Sequence, residues 1–210
     1  MKYAKMLALA AVAAGALMAF VGAGTASATV LCSTTADPCP AGQSWPATTP
    51  LDFSIPSGSS ANLVDTEGEP LDTCSTSTVK GSISSAGSST TTTTGAVSEL
   101  TWGSCTFPTN TILKGKLEVH KIAGTSNGTV TADGTFEVTI NTIFFGSCIY
   151  GVTSGVDLGE ITEGKPAIFH ANAVAEKFSG SALACPATSR WTATYTVTAP
   201  SETTLSVSSS

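Results

Sequence analysis

Trp191, Ala193, Tyr195 and Val197 alternate with Thr192, Thr194 and Thr196. A period of two puts apolar side chains on one face and hydroxyls on the other, an arrangement that a strand offers and a helix does not. The pattern recurs in Leu51, Phe53 and Ile55, in Leu117 and Val119, and in Phe136, Val138 and Ile140. Ala167, Phe169, Ala171 and Ala173 suggest a further long strand, although ANAVAEKF, residues 171–178, could instead form a short helix. Pro56-Ser57-Gly58, Asn127-Gly128, Asp133-Gly134, Ser154-Gly155 and Glu163-Gly164 read as turns between the runs. The spacing predicts an all-β chain of roughly nine to eleven strands. An antiparallel β-sandwich is the expected architecture, with a closed β-barrel as the alternative.

The start of the chain has a different character. Lys2 and Lys5 precede an apolar stretch from Met6 to Val21, and Thr25-Ala26-Ser27-Ala28 ends in an A-x-A pattern. Residues 1–28 therefore read as a secretory signal peptide, 29–200 as a single β-rich domain, and 201–210 as a flexible tail or a last edge strand through Leu205 and Val207. Leu31 is too large to precede a lipidated cysteine, so Cys32 is not expected to carry a lipid.

All six cysteines, Cys32, Cys39, Cys74, Cys105, Cys148 and Cys185, follow the leader. An even count in an exported chain reads as disulfides. Local spacing favours Cys32–Cys39, and neighbouring strands favour Cys74–Cys105 and Cys148–Cys185, each worth roughly 2–4 kcal/mol if unstrained. The gaps do not match the close cysteine pairs of a zinc site.

Charge excludes other classes. Nine Lys and Arg stand against 15 Asp and Glu, a formal net charge of −6. Such a chain lacks the basic surface of a nucleic-acid binder. After the leader there is no apolar run long enough to insert in a membrane as a helix.

Leu100-Thr-Trp102-Gly103-Ser104-Cys105-Thr-Phe107 matches Ile143-Phe-Phe145-Gly146-Ser147-Cys148-Ile-Tyr150 in pattern. The match suggests two related strands, with a bulge expected at Gly103. With LDTC, LEVHKIAGTSNGTVTADGTFEVTIN and SRWTATYTVTAP, these segments make nearly all of the chain after the leader similar to a group of uncharacterised small secreted actinobacterial proteins. The resemblance implies a secreted β-rich protein with six cysteines and supplies neither activity nor catalytic residues.

Few residue sets could carry chemistry. Gly124-Thr125-Ser126-Asn127-Gly128 fits G-x-S-x-G, and Asp133 or Asp157 and then His170 follow in hydrolase order. That motif needs a strand-to-helix elbow, however, and here it falls between strand runs. His120 and His170 both alternate against apolar neighbours and are expected to face solvent. Asp65, Glu67, Glu69 and Asp72 could offer carboxylates to Ca²⁺, although the spacing is not that of an EF-hand loop and a solvated acidic turn fits better. Asp157, Glu160 and Glu163 form a second acidic group, with no aromatic sugar platform inside either cluster. Trp102 and Trp191 read as core, whereas Trp45 in a Pro- and Gly-rich stretch is the best exposed aromatic for ligand binding.

The sequence thus supports an exported, non-catalytic β-sandwich acting at or outside the cell envelope. It would bind cell-envelope polysaccharide or a surface protein, or serve as a structural component. Phe136 to Phe145, FEVTINTIFF, is apolar, β-prone and free of proline, which makes a self-assembling extracellular matrix protein the first alternative. A small secreted hydrolase is the second.

Overall fold

A computed structural model describes residues 28–142, 146–181, 185–201 and 203–210. The expected leader, apart from Ala28, and Ile143, Phe144 and Phe145 of the second motif lie outside the described residues. The chain forms β1 (Thr29–Cys32), β2 (Pro50–Ser54), β3 (Ala61–Val64), β4 (Pro70–Ser85), β5 (Thr93–Cys105) and β6 (Thr109–Lys121). It continues with β7 (Gly128–Thr142), β8 (Gly146–Val152), β9 (Asp157–Thr162), β10 (Ile168–Ser179), β11 (Thr188–Ala199) and β12 (Ser206–Ser209). Ala171 to Phe178 belongs to β10, with Ala171, Ala173 and Ala175 buried and His170, Asn172, Val174 and Glu176 exposed.

Ten strands form one antiparallel sheet, and β1 and β12 pair separately. The large sheet returns on itself. Pairing runs β4–β5–β6–β7, on through β8 and β9 to β10, then to β11, and through β2 and β3 back to β4. β2 and β3 lie end to end at one position, and β8 and β9 at another, so the circuit has eight strand positions. Turn residues fill these two joins: Ile55 donates its amide to Ser77 O at 3.1 Å, and Ala132 donates to Val156 O at 2.9 Å. The enclosure is sandwich-like and uneven, with bulges and composite positions that a regular barrel lacks.

One seam is thin. β5 and β6 pair only from Thr93↔Val119 to Ala96↔Lys116. Beyond this, the stretch from Val97 to Ser104 has no backbone ladder to β6, although it stays paired to β4, and β6 stays paired to β7 throughout.

The three disulfides are those expected: Cys32–Cys39, Cys74–Cys105 and Cys148–Cys185. Cys74 and Cys105 are direct cross-strand partners on β4 and β5. No bulge occurs at Gly103, which pairs with Thr76 in unbroken register with Trp102 and Ser77. The irregularity falls instead at Ser104, whose φ is 50°. A β carbon at Gly103 would stand 2.4 Å from Thr76 Oγ1, so a larger residue there requires the threonine side chain to turn away.

Asp133-Gly134 is not a turn. It lies inside β7, with Gly134 opposite Gly115 of β6. Of the segment expected to be cross-β prone, the described part is internal: Phe136 to Ile140 pairs with β6 on one side, and Phe136 to Thr142 pairs with β8 on the other.

The β1–β12 pair caps one end of the enclosure. Leu31, Leu205 and Val207 are buried in the main core. Residues 206–209 thus form an ordered strand, the edge-strand alternative for the end of the chain. No helix among the described residues is long and apolar enough to cross a membrane.

Candidate functional site: an apolar interior cavity

A ring of eight strand positions leaves an interior that packed side chains can fill or that can hold one small ligand. Here the inward residues fill it incompletely. Alanine occupies two successive inward positions of β10 on the cavity wall, Ala173 and Ala175, and leaves space that leucine or valine would fill. A partly enclosed cavity of about 130 Å³ results. It is close to the size of an apolar cavity known to hold a benzene-sized guest, roughly 150 Å³.

The lining comes from most of the fold. Leu100 and Trp102 of β5, Leu113 and Leu117 of β6, and Phe136 of β7 line the side nearest the thin seam, and all five are half-buried. Tyr150, Leu158, Ile161 and Phe169 line the opposite wall and are buried. Leu31 and Leu205 reach it from the cap. The difference in exposure and the missing ladder both place the thinnest wall between β5 and β6. One side-chain bond crosses there, from Thr111 Oγ1 to Leu100 O at 2.6 Å.

Aromatic rings run along one side of the cavity. Trp191 sits 6.0 Å from Trp102, 5.9 Å from Tyr195 and 6.3 Å from Phe169, and Phe169 is 6.1 Å from Phe53. Most meet edge to face, the arrangement that ring quadrupoles favour. Tyr195 shares a 2.8 Å hydrogen bond with Ser77, whose hydroxyl also reaches Thr101 O at 2.9 Å. Burial pushes the Tyr195 hydroxyl up to about 12, against the opposing effects of Ser77 and the neighbouring Trp191 indole. Burial, with the Asp65 carboxylate as a second cause, also pushes Tyr150 up to about 12. Both phenols therefore stay protonated across the neutral range, and Tyr195 hydrogen-bonds Ser77 in that form. The Trp102 indole nitrogen and the Tyr150 hydroxyl are buried without a partner.

The residues singled out in the sequence lie elsewhere. Trp45 is not an exposed platform. Its amide donates to Leu31 O at 2.8 Å, its ring is half-buried against the core, and its indole nitrogen is buried. The Cys32–Cys39 bridge turns the chain back along β1 and lays the tryptophan on the cap.

The four acids expected at a Ca²⁺ site separate. Asp65 accepts the amides of Glu67 and Glu69 at 2.8 and 2.9 Å, while Glu67 and Glu69 are exposed. Asp72 is buried on β4 and accepts the Thr73 amide at 2.9 Å, the Phe107 amide at 3.1 Å and the Thr109 hydroxyl at 2.5 Å. It secures the β5–β6 turn instead of facing the other acids. Among the described residues one possible metal-ligand group occurs, Asp72 with Cys74 and Cys105, and its two sulfurs are joined in a disulfide.

The G-x-S-x-G pentapeptide spans the loop between β6 and β7 and the first residue of β7. There Ile122 donates to Asn127 O, and Ser126 O accepts the Val207 amide. Asp157 caps the Gly159 amide at 2.8 Å, and His170 Nδ1 lies 3.4 Å from Thr194 Oγ1. No hydrogen bond joins Ser126, Asp157 and His170 among the described residues. His170 is exposed, and His120 is half-exposed, with its Nε2 by Thr131 at 3.1 Å and Glu118 at 3.4 Å. Across the strands, His120 pairs with Thr129, Thr129 with Glu160, and Glu160 with His170. Both histidines thus stand in one outer row, three strand spacings apart, roughly 14 Å. In the second acidic group, Glu160 accepts from Asn127 Nδ2 at 3.0 Å.

Reasoning from the sequence placed Trp102 and Trp191 in the core without seeing that they border a space. The signal available was the pairing of bulky aromatics on some strands with only alanine inward on β10.

No protein-family model, curated protein or solved structure matches this chain.

Proposed function

We propose that this is an exported, non-catalytic binding protein whose interior takes up a small apolar molecule at or outside the cell envelope. The observation that carries the reading is the apolar cavity of about 130 Å³ inside a closed circuit of strands. The leader-like start and three disulfides favour export. Envelope lipids and secreted aromatic metabolites offer suitably apolar groups, whereas a polysaccharide is best read by exposed aromatic faces. Trp45 is half-buried against the cap, which favours the interior over a surface platform.

The test is uptake of toluene by oxidised protein 29–210, followed by the rise in melting temperature with ligand concentration. A saturable rise is expected, and it should be lost in Ala173→Leu, which grows a side chain into the cavity from a site 1% exposed. A wild-type melting temperature that toluene does not move would overturn the reading. Saturable binding to envelope polysaccharide that Ala173→Leu leaves intact would locate the function on the outer surface instead.

A further inference from the structure

The unladdered seam between β5 and β6 contains a bounded window. The last ladder pair, Ala96↔Lys116, closes it at one end, and the Thr111 Oγ1 bond to Leu100 O crosses it at the other. Between the two, the edges are Val97, Ser98 and Glu99 of β5 and Ile112, Leu113, Lys114 and Gly115 of β6. Val97, Leu100 and Leu113 also line the cavity, so the window stands over it. The cavity surface itself is wholly apolar. It accepts a hydrocarbon end, whereas a charged group buried there without a partner is strongly disfavoured. The polar end of any ligand therefore stays at the window.

Two features of the rim say what that end is. Ile112 is 45% exposed, one of three large apolar side chains left outside among the described residues, and the other two, Val174 and Phe178, lie on β10 away from the seam. The rim also carries a free cation. Among the described residues, Lys80 pairs with Glu99 and Lys121 with Asp37, while Lys177 donates to Cys185 O and Arg190 to Asn172. Lys114, Lys116 and Lys165 are exposed and have no such partner. Lys116 stands opposite Asp133 of β7, whereas Lys114 stands opposite Thr135. Across the window the one acid is Glu99, already held by Lys80 at 3.1 Å. Lys114 is thus an uncompensated positive charge beside an apolar opening.

We propose that this window is the portal of the cavity and that the ligand is a free anionic amphiphile, an alkyl chain ending in a carboxylate, whose chain fills the interior while its head stays outside on the Lys114 ammonium. The inference rests on the uptake function proposed above and names its ligand class. A space fit for a benzene-sized guest takes about six carbons. Roughly four more cross one sheet wall, about 5 Å, so decanoate is the probe. A formal net charge of −6 opposes approach to an anionic bilayer, whereas a single carboxylate meets only the local lysine, which favours free acid as the source.

Decanoate and decan-1-ol share a chain and differ in the charge of the head. Dissociation constants for both are measured on protein 29–210, on Lys114→Gln and on Lys165→Gln. Lys165 lies between β9 and β10, and its substitution changes the net charge equally. Lys114→Gln should weaken decanoate roughly three- to five-fold, the size expected of an exposed ion pair, and leave decanol unchanged. Lys165→Gln should change neither, and added salt should weaken decanoate alone. Equal weakening by the two variants, or none, overturns the role of Lys114, while decanol binding keeps apolar uptake standing. Decanoate bound as tightly by Ala173→Leu as by wild type places the chain outside the cavity and overturns the portal. Failure of both probes to bind the wild type overturns uptake and portal together. Sedimentation of the protein with phosphatidylglycerol vesicles, unaffected by decanoate, overturns the free acid as the source in favour of a bilayer.

Discussion

Asp37 and Lys121 lie 84 residues apart in sequence and form an ion pair where the cap meets the end of β6. The Asp37 carboxylate also accepts the Ser208 hydroxyl at 3.1 Å and the Ser209 amide at 3.0 Å. One side chain thus ties the Cys32–Cys39 loop, the last strand and the main sheet together. The Lys121 ammonium is the largest cause of a carboxyl held well below its ordinary range, followed by the Ser209 hydroxyl.

The pH dependence follows from that depression. A carboxyl lowered in the folded state stabilises the fold fully above its unfolded pKa, about 3.9, and loses that stabilisation as pH falls toward the lower folded value. Asp37→Asn should cost about 1–2 kcal/mol near neutrality, a modest figure because Asp37 is 39% exposed and partly screened. The difference between wild type and variant should hold constant above about pH 5 and shrink steadily below about pH 4. Denaturant melts of both proteins across pH 3–7 measure it, and a difference that grows on acidification would have the wrong sign.

Gly115 and Gly134 face each other across β6 and β7. A β carbon on Gly134 would stand 2.4 Å from Lys114 O and 2.5 Å from Gly115 Cα, and Gly134 has φ +134°. Gly134→Ala should therefore destabilise by roughly 3 kcal/mol or more, from strain and overpacking together. Gly124→Ala is the control. It has φ +76° but open space around it, so only the conformational penalty applies, about 1 kcal/mol. Equal losses at the two sites would show that the close approach of the strands is unimportant.

The same pair shows where the sequence stops being informative. Asp-Gly signals a tight turn because glycine tolerates positive φ, and Gly134 does have positive φ, but in the service of two backbones approaching closely. A local pattern cannot separate these uses, since the partner strand decides. Alternation, by contrast, is local and depends only on which face is buried, so β7, β10 and β11 were legible from their residues. The disulfides were legible because each pair bridges neighbouring chain segments. Closure of the sheet was not, because β11–β2 and β11–β3 depend on pairings between the two ends of the domain. The cavity was the least accessible of all. It is bordered by Ala173 and Ala175, whose small side chains leave volume that emerges only when the opposing strands are in place.

Protein 29–210 contains two of the three tyrosines, Tyr150 and Tyr195, both raised to about 12. Spectroscopic titration near 295 nm should show almost no tyrosinate until the pH passes about 11, whereas an exposed tyrosine ionises near 10. A group whose folded pKa is raised contributes stability below its unfolded value and loses it as pH rises through the folded one. Stability should therefore fall between pH 10 and 12, and titration of either phenol with an ordinary midpoint would contradict the burial.

The thin seam makes the last prediction. On β5, the amides of Val97 to Ser104 that point away from β4 have no backbone acceptor on β6, while Thr93 to Ala96 are laddered to it. Hydrogen exchange should divide this single strand, with the unladdered amides exchanging at low protection and the laddered ones approaching the global value. Thr111 Oγ1 is the side-chain bond across the gap. Thr111→Val keeps the β-branched shape and removes the hydroxyl, so it should cost only about 1 kcal/mol globally while lowering protection locally in the seam. If the seam is also the route into the cavity, this variant should bind and release toluene faster with a nearly unchanged dissociation constant, because it alters the passage and leaves the wall intact. Uniform protection along β5, with exchange rates in the variant equal to wild type, would mean that the seam is closed by contacts other than the ladder and that ligands must enter elsewhere.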